Sequence, residues 1–427
     1  MAPNSSLMGV KNLFAPPGIF PASPVLPFLT RGVDGNNYMA TKAQSLNLPI
    51  VINNSWGHQL SPHNGCDFTS RMLDLIGGAG IPGVVVTASA GNEGDPTQPI
   101  HVQTLLGSTQ PTRTFTIFPY INTNFPFIEF VEFGLFYQGG ATPNDITFRV
   151  IWNTGQTGFV STGFGTGGVV LGGTQLGTVI RVSIPSTSWT PACAPFRGLY
   201  IQIEGQNVDA SAWRVEVTTQ TGLDQRADAW VAEGGIFSTA LGGLSPDNTN
   251  TIGAPADGLN VVGVGAYTDR LTHPTSGNPT ESLAFGTVIN DIAPFSSRGP
   301  PTNGRAKPDL VAPGDVVAAA KSADIDGPTY FSGTEFAQRS HIDGNHFVFS
   351  GTSQSNPHVV GAVALAFGEE MKAAVGNVSL LPDFSQMRDL LRRTARRDLF
   401  TSIPPLSNDW GAGKLDADRL REFFRQE

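Results

Sequence analysis

The stretch Phe349-Ser-Gly-Thr-Ser-Gln-Ser-Asn-Pro-His-Val-Val-Gly-Ala-Val-Ala-Leu365 decides how the rest of the chain is interpreted. Ser353 follows a Gly-Thr pair and precedes an apolar run, and Pro357 comes four residues later. Because proline is tolerated in the first turn of a helix, this pattern predicts a helix over about residues 353–367. Unpaired N–H groups and a partial positive charge at a helix N-terminus favour a nucleophile whose attack creates an oxyanion. A serine that only caps the helix would give the same sequence pattern, so this stretch alone leaves both interpretations open.

The bulk composition excludes several classes of protein. The formal net charge of -9 argues against nucleic acid or an anionic membrane as a partner. No apolar run reaches the ~18 residues that a membrane helix needs, and the N-terminus lacks the pattern of a signal peptide. Cys66 and Cys193 are too few for a disulfide framework; one bridge is conceivable, but the sequence gives no reason to pair them.

The first hundred residues predict a parallel sheet. Alternating residues 6–13 favour a strand, and residues 34–46 have the composition of a helix opened by an Asp-Gly pair. Buried-type strands are predicted over residues 49–53 and 83–88, with a helix over residues 67–76 between them. In sheets of this kind, functional sites lie at the carboxyl ends of the strands, where residues 55–57 and Asn92 fall.

The character of the chain changes from about residue 99 to residue 228. Apolar and polar residues alternate there in short runs between glycine-rich turns, which indicates an antiparallel sandwich or barrel inserted into the first domain. The runs cover residues 146–152, 180–184, 199–204 and 213–217. Residues 163–168 match a dinucleotide-binding fingerprint, but we reject that site because no helix and no acidic residue about 20 positions on follow. After the insertion, residues 259–265 predict another buried strand, residues 321–345 a polar loop and residues 385–397 a final amphipathic helix.

Six stretches together resemble the subtilisin-like serine proteases (subtilases, peptidase S8 family). Gly-Thr-Ser-x-x-x-Pro-His-Val-x-Gly, at residues 351–361, resembles the nucleophile motif of that family. The other five appear in the order of the family: Val51-Ile-Asn-Asn-Ser-Trp-Gly57, Ala90-Gly-Asn-Glu-Gly94, Phe295-Ser-Ser-Arg-Gly-Pro300, Lys307-Pro-Asp-Leu-Val-Ala-Pro-Gly314 and Asp409-Trp-Gly-Ala-Gly413. An insertion directly after residues 90–94 is similar to the clostridial germination-protease branch, whose insertion is a jelly roll.

The resemblance implies an α/β fold of three layers around a central parallel sheet, with an inserted all-β sandwich or jelly-roll domain. We therefore expect a first part of the subtilase domain at residues 1–98, the insertion at residues 99–228, and a second part at residues 229–427. The second part carries the serine.

The resemblance also assigns roles to individual residues. Ser353 is expected to be the nucleophile and Asn92 the oxyanion donor. Ser55, Trp56, Gly57, Ala90 and Gly91 are expected to form the backbone walls of the pocket that holds the substrate residue before the cleaved bond. Structural roles stay open for two of these residues. Asn92 could instead serve a tight turn, and Trp56 could instead serve packing.

A catalytic triad also needs a histidine base and a carboxylate that orients it, and the sequence does not supply the motifs for either. The family's Asp-Ser/Thr-Gly and His-Gly-Thr-His motifs occur nowhere in the chain, and none of its seven histidines has that context. Because residues 1–3 resemble the interior of a Gly-x-Ala-Pro segment, we expect an N-terminally truncated chain with an incomplete sheet that is inactive alone. A replacement base in the loop of His341, Asp343 and His346 is the alternative.

The sequence therefore predicts a serine endopeptidase that acts on proteins or peptides through an acyl-enzyme on Ser353. The resemblance implies no required cofactor; family members often bind calcium, but no residues locate a metal site. Members are often secreted, yet the compartment and the oligomeric state stay open. The alternative is a non-catalytic relative that binds a partner through the inserted β domain, against which the intact Ser353 and Asn92 speak. An α/β-hydrolase esterase is excluded because residues 351–355 lack the second glycine of G-x-S-x-G.

Overall fold

The computed structural model describes most of the chain, in segments that end at residue 425. These are residues 5–10, 25–107, 111–119, 129–138, 146–151, 157–162, 179–183, 196–205, 213–219, 225–233, 235–237, 244–323, 332–401 and 406–425. The chain divides into two compact units. The first unit comprises Met1–Gly57, Phe68–Asn92 and Pro255–Glu427, and the second comprises His58–Asp67 and Glu93–Ala254.

Helices and strands are numbered here in chain order. The helices are α1 (Val25–Ser45), α2 (Phe68–Ile76), α3 (Gly333–Arg339), α4 (Thr352–Ala373), α5 (Phe384–Thr394) and α6 (Ala417–Phe423), with a 3-10 turn at Val378–Leu380. The strands are β1 (Ile50–Asn54), β2 (Val84–Ser89), β3 (His101–Leu106), β4 (Thr112–Pro119), β5 (Glu129–Gln138), β6 (Ile146–Ile151), β7 (Thr157–Thr162), β8 (Val179–Ser183), β9 (Phe196–Gly205), β10 (Trp213–Thr219), β11 (Gln225–Glu233), β12 (Gly235–Phe237), β13 (Val262–Thr268), β14 (Thr272–His273), β15 (Glu281–Ser282), β16 (Leu310–Asp315), β17 (Val317–Ala320) and β18 (His346–Phe349). No described helix is both long enough and apolar enough to cross a membrane.

The first unit is built on a parallel sheet of four strands in the order β1-β2-β13-β16. β2 and β13 are buried along their whole length, as expected for strands covered on both faces. Val85 of β2 and Val264 of β13 pack with Val359 and Val363 of α4 in one apolar cluster, which α5 and α6 extend. Val86 points to the opposite face, where a Cβ on Gly77, just after α2, would lie 2.7 Å from it. Helices on both faces of a parallel sheet confirm the predicted α/β class.

Some sequence predictions for this unit are wrong. Residues 5–10 form no strand, and residues 11–13 lie outside the described part of the chain. α1 begins at Val25 rather than at the Asp34-Gly35 pair. The predicted polar loop over residues 321–345 contains α3, whose first turn is capped by the Ser332 hydroxyl. The helix predicted to be the last is followed by α6.

The second unit contains two antiparallel sheets of five strands each. Their orders are β12-β4-β10-β6-β7 and β3-β11-β5-β9-β8. Phe115 of β4 and Phe133 of β5 are fully buried with ring centroids 5.4 Å apart, so side chains of the two sheets meet in an apolar interior. Cys66 is disulfide-bonded, whereas Cys193 and the glycine-rich residues 163–168 lie outside the described residues. The jelly-roll topology and the predicted boundaries at residues 98 and 228 stay predictions.

A buried histidine links three elements of the second unit. Nδ1 of His101 lies 2.7 Å from Asp247 and its Nε2 lies 3.2 Å from Asp228, which also pairs with Arg226. Burial alone would lower the pKa of His101, but hydrogen bonds to both carboxylates outweigh it and raise that pKa. Both ring nitrogens face carboxylate oxygens, and this arrangement favours the doubly protonated, cationic imidazole.

The ring of Trp230 packs against this charged group. Its ring stacks on His63 with centroids 4.1 Å apart and lies 5.0 Å from the ring of His101. Its indole N–H donates to the carbonyl of Asn250, 3.0 Å away. The group therefore joins β3, β11 and the segments 58–67 and 244–250 into one unit.

Candidate active site

The strand ends and the start of α4 bring the predicted nucleophile to the predicted edge of the sheet. β1 and β2 are neighbours in parallel register, so residues 55–57 and 90–92 follow at the same edge. Ser353, in the first turn of α4, donates from Oγ to the carbonyl of Ser55 at 3.2 Å. The Ser55 hydroxyl donates to the carbonyl of Ser353 at 3.0 Å. This pair of bonds fixes the helix start against the loop after β1.

The turn before Ser353 requires glycine. Gly351 has φ 152°, which disfavours other residues, and a Cβ there would lie 2.9 Å from Oε1 of Gln354. The same Cβ would lie 3.5 Å from both amide atoms of Asn92. The glycine therefore lets the chain turn into α4 beside the Asn92 side chain.

Thr352 orients Asn92. Its backbone N–H donates to Oδ1 of Asn92 at 2.8 Å, and its hydroxyl lies 3.0 Å from the same oxygen. The hydroxyl also accepts from the N–H of Gly91 at 3.2 Å. Since a backbone N–H can only donate, the atom facing it must be the amide oxygen, and the Asn92 NH₂ group is turned away. Within the described residues that NH₂ group makes no hydrogen bond, and Asn92 is exposed. The side chain thus presents a free, non-titrating donor beside the helix N-terminus.

Asparagine amides fasten α4 to the end of β1. Asn356, fully buried, donates from Nδ2 to Oδ1 of Asn53 at 2.9 Å and to the carbonyl of Asn54 at 3.3 Å. Asn54 in turn exchanges two amide hydrogen bonds with Asn36 of α1, at 2.8 and 3.0 Å. Sequence reasoning missed Thr352 and Asn356 as positioning residues, although both lie inside the nucleophile motif.

Replacing Asn356 with alanine is expected to lower the free energy of unfolding by about 1–3 kcal/mol, because the carbonyl of Asn54 loses a buried donor. Urea unfolding of the parent and the variant measures the loss. Asn53→Ala is the matched control: Asn53 is exposed and its loss leaves Asn356 bonded to Asn54, so a clearly smaller effect is expected. Equal losses in the two variants would contradict the conclusion that Asn356 holds α4 to the end of β1.

The other predicted pocket residues are placed as follows. Ala90 is buried, and its N–H donates to the carbonyl of Val264 at 2.9 Å, which ties the loop after β2 to β13. The Trp56 ring lies against α1, where a Cβ on Gly32 would come within 2.7 Å of a ring carbon. Gly57 is exposed. Their roles towards a substrate stay predictions.

None of the imidazoles in the described residues forms a hydrogen bond with Ser353. Nδ1 of His346 lies 2.7 Å from Asp343, and Nδ1 of His341 lies 3.3 Å from the same carboxylate. Nδ1 of His358 faces the carbonyl of Gln354, one turn back in α4, at 2.9 Å. The hydroxyl of Ser353 thus contacts a carbonyl, which is not a base at neutral pH.

The Lys-Pro-Asp segment at residues 307–309, just before β16, stabilises the fold. Asp309 is fully buried and lies 2.8 Å from Nζ of Lys307 and 2.5 Å from the guanidinium of Arg392. Burial opposes the charged carboxylate, but the two cations lower the pKa of Asp309 below its ordinary value. This buried ion group anchors β16 against α5 rather than contributing to the site.

Comparison with known proteins agrees with this geometry. The sequence model of the Subtilase family matches residues 163–414, more than half of the chain. Serine protease AprX of Bacillus subtilis is 31% identical over 191 residues, which cover 45% of this chain and 36% of AprX. Subtilisin-like protease SBT1.7 of Arabidopsis thaliana is 32% identical over 211 residues, covering 45% and 27% of the two chains. The chain thus spans about a third of the length of these relatives.

A solved structure shares the fold over most of the chain. The CspB protease of Clostridium perfringens superposes with a TM-score of 0.62 at 21% identity, covering 93% of this chain and 70% of that one. At this identity the likeness shows the fold alone. Taken with the family match and with Ser353 at the start of α4 beside the ends of β1 and β2, it establishes that the chain belongs to the subtilase family of serine peptidases.

Proposed function

We propose that Ser353 attacks the carbonyl carbon of a peptide bond. The hydroxyl gives up its proton, the C–N bond breaks, the amine leaves protonated, and water then hydrolyses the acyl-enzyme that remains on Ser353. The substrates are proteins or peptides. The single observation that carries the proposal is the arrangement at the start of α4. There a half-buried serine hydroxyl, the Asn92 side chain with its unbonded NH₂ group and the N-terminus of the helix lie within one turn of the chain.

The electrostatics support attack by a hydroxyl at this position. The tetrahedral intermediate carries a negative charge on the former carbonyl oxygen, and donors fixed beforehand stabilise it most effectively. The NH₂ group of Asn92 is such a donor, because Thr352 holds its oxygen on the other side. The positive end of α4 adds to the same stabilisation.

We also propose that this chain turns over slowly when it is assayed alone. Attack by a serine requires a base to take the hydroxyl proton, and Ser353 has only a carbonyl partner in the described residues. Imidazole added to the solution should act as that base, since Ser353 is only half-buried. The chain is therefore assayed with an activated peptide ester at increasing imidazole concentration, after subtraction of the reaction without protein. A rate that rises with imidazole supports the proposal, whereas no protein-dependent hydrolysis at any concentration would reject it.

Asn92→Ala is expected to lower the imidazole-supported rate by about 10²–10³, the loss measured when one oxyanion donor is removed from a protease of this same family. Asn377→Ala is the matched control, because Asn377 is also exposed and its oxygen also accepts a backbone N–H, that of Ser379. The control should keep the parent rate. A parent-like rate in Asn92→Ala would remove Asn92 from the oxyanion site.

A further inference from the structure

Two histidines and an aspartate converge on the turn between α3 and β18. One ligand atom from each of His341, Asp343 and His346 can be chosen so that all three atoms lie within 4.8 Å of one another. The side chains are 24%, 40% and 44% exposed, so the group is open to solvent. We propose that these three residues bind one divalent transition-metal ion of the zinc class.

The donor set fits that class of ion. Zn²⁺ binds imidazole nitrogen at about 2.0–2.1 Å and carboxylate oxygen at about 2.0–2.2 Å, which places tetrahedral ligands about 3.4 Å apart. Nδ1 of His341 and Nδ1 of His346 already lie 3.3 and 2.7 Å from oxygens of Asp343. Binding one ion would bring ligand atoms that now lie within 4.8 Å of one another to separations of about 3.4 Å.

The backbone holds the three residues in place before any ion arrives. The N–H of His341 donates to the carbonyl of His346, and the N–H of Gly344 donates to the carbonyl of His341. The N–H of Ile342 donates to the carbonyl of Pro274, and the N–H of Lys321 to that of Asn345. A turn tied down on both sides loses little conformational entropy on binding, which favours affinity.

The chemistry of the donors discriminates among ions. Ca²⁺ takes six to eight oxygen ligands and Mg²⁺ keeps several waters, whereas this group offers one carboxylate and two imidazoles. Imidazole suits zinc and its neighbours in the first transition row. Three protein ligands leave a fourth position open, which water or an added ligand fills.

The test is titration of the tag-free, chelator-treated chain with ZnCl₂ by calorimetry, with metal content measured after gel filtration. We expect one equivalent bound by the parent, no displacement by excess Ca²⁺, and an unfolding temperature raised by Zn²⁺. Asp343→Asn should weaken binding at least about 10-fold, and His341→Gln with His346→Gln should abolish it. Because all three side chains are partly exposed, the variants should unfold like the parent in the presence of chelator.

His358→Gln is the matched control, since His358 is an exposed histidine outside the group. It should keep the parent's affinity for Zn²⁺. Equal binding by the double variant, binding abolished by His358→Gln, displacement by Ca²⁺, or a parent that binds no Zn²⁺ would each overturn the proposal. In the last case the group is a surface ion pair only.

Discussion

Replacing Ser353 with alanine is expected to reduce imidazole-supported hydrolysis of a peptide ester to the rate of the solution without protein. The variant removes the hydroxyl that donates to the carbonyl of Ser55 at the start of α4, one residue after the threonine that orients the Asn92 amide. Without it no acyl-enzyme forms, and the added imidazole has no proton to accept at the site. The protein-dependent part of the rate should therefore be lost at every imidazole concentration.

The measurement is the slope of rate against imidazole concentration for the parent and the variant. Ser379→Ala, at an exposed serine in the 3-10 turn after α4, serves as the control and should keep the parent slope. Unfolding curves show whether Ser353→Ala keeps the fold. A folded Ser353→Ala variant with the parent slope would mean that another group performs the reaction.

Replacing His101 with alanine is expected to lower the stability of the second unit by about 3 kcal/mol. Removal of one partner from a buried ion pair costs about 3–5 kcal/mol, because the remaining charge stays buried. The lower end applies here, since Asp247 is 39% exposed and Arg226 continues to pair with Asp228. Urea unfolding followed by tryptophan fluorescence measures the loss, because Trp230 lies beside His101. His358→Ala, at an exposed position, should change stability by no more than about 0.5 kcal/mol.

The same histidine should make stability depend on pH on the alkaline side. The pKa of His101 is raised above its ordinary value of 6.5. The imidazolium therefore contributes its full stabilisation below about pH 6.5, and that contribution is lost as the pH rises through the folded-state pKa. The pKa values of Asp228 and Asp247 are lowered, so their contribution is present above the ordinary value of 3.8 and is lost as the pH falls through the folded-state values.

His101→Gln separates charge from hydrogen bonding in this prediction. Glutamine keeps a donor but does not titrate, so the decline of the unfolding midpoint that we expect in the parent as the pH rises above 6.5 should flatten in the variant. An equally steep decline in both proteins would assign the pH dependence to other groups.

The sequence predicted those features that local patterns determine. Buried apolar runs predicted β1 and β2, and Gly-Thr-Ser followed by an apolar run with proline at residue 357 predicted α4. Their parallel pairing then followed from the helix between the strands. Ser353, Asn92 and the loops after the strands were consequently expected at one edge of the sheet, and the structure places these residues there; their roles stay predictions.

Features that depend on distant contacts were not predictable. α1 runs through Gly32 and Gly35, which disfavour a helix, and the structure shows the Trp56 ring lying against Gly32. His101 meets carboxylates that are 127 and 146 residues away in the chain. The orientation of the Asn92 amide depends on Thr352, 260 residues later. No local pattern carries such information, because tertiary packing decides it.

The central claim, that Ser353 is the nucleophile, is tested most directly by trapping the covalent intermediate. The chain is incubated with a phosphonyl fluoride in the presence of imidazole, digested, and its peptides are weighed by mass spectrometry. We expect one adduct per chain on the peptide that contains Ser353, and none in Ser353→Ala. An adduct on another residue, or the same labelling in Ser353→Ala, would contradict it.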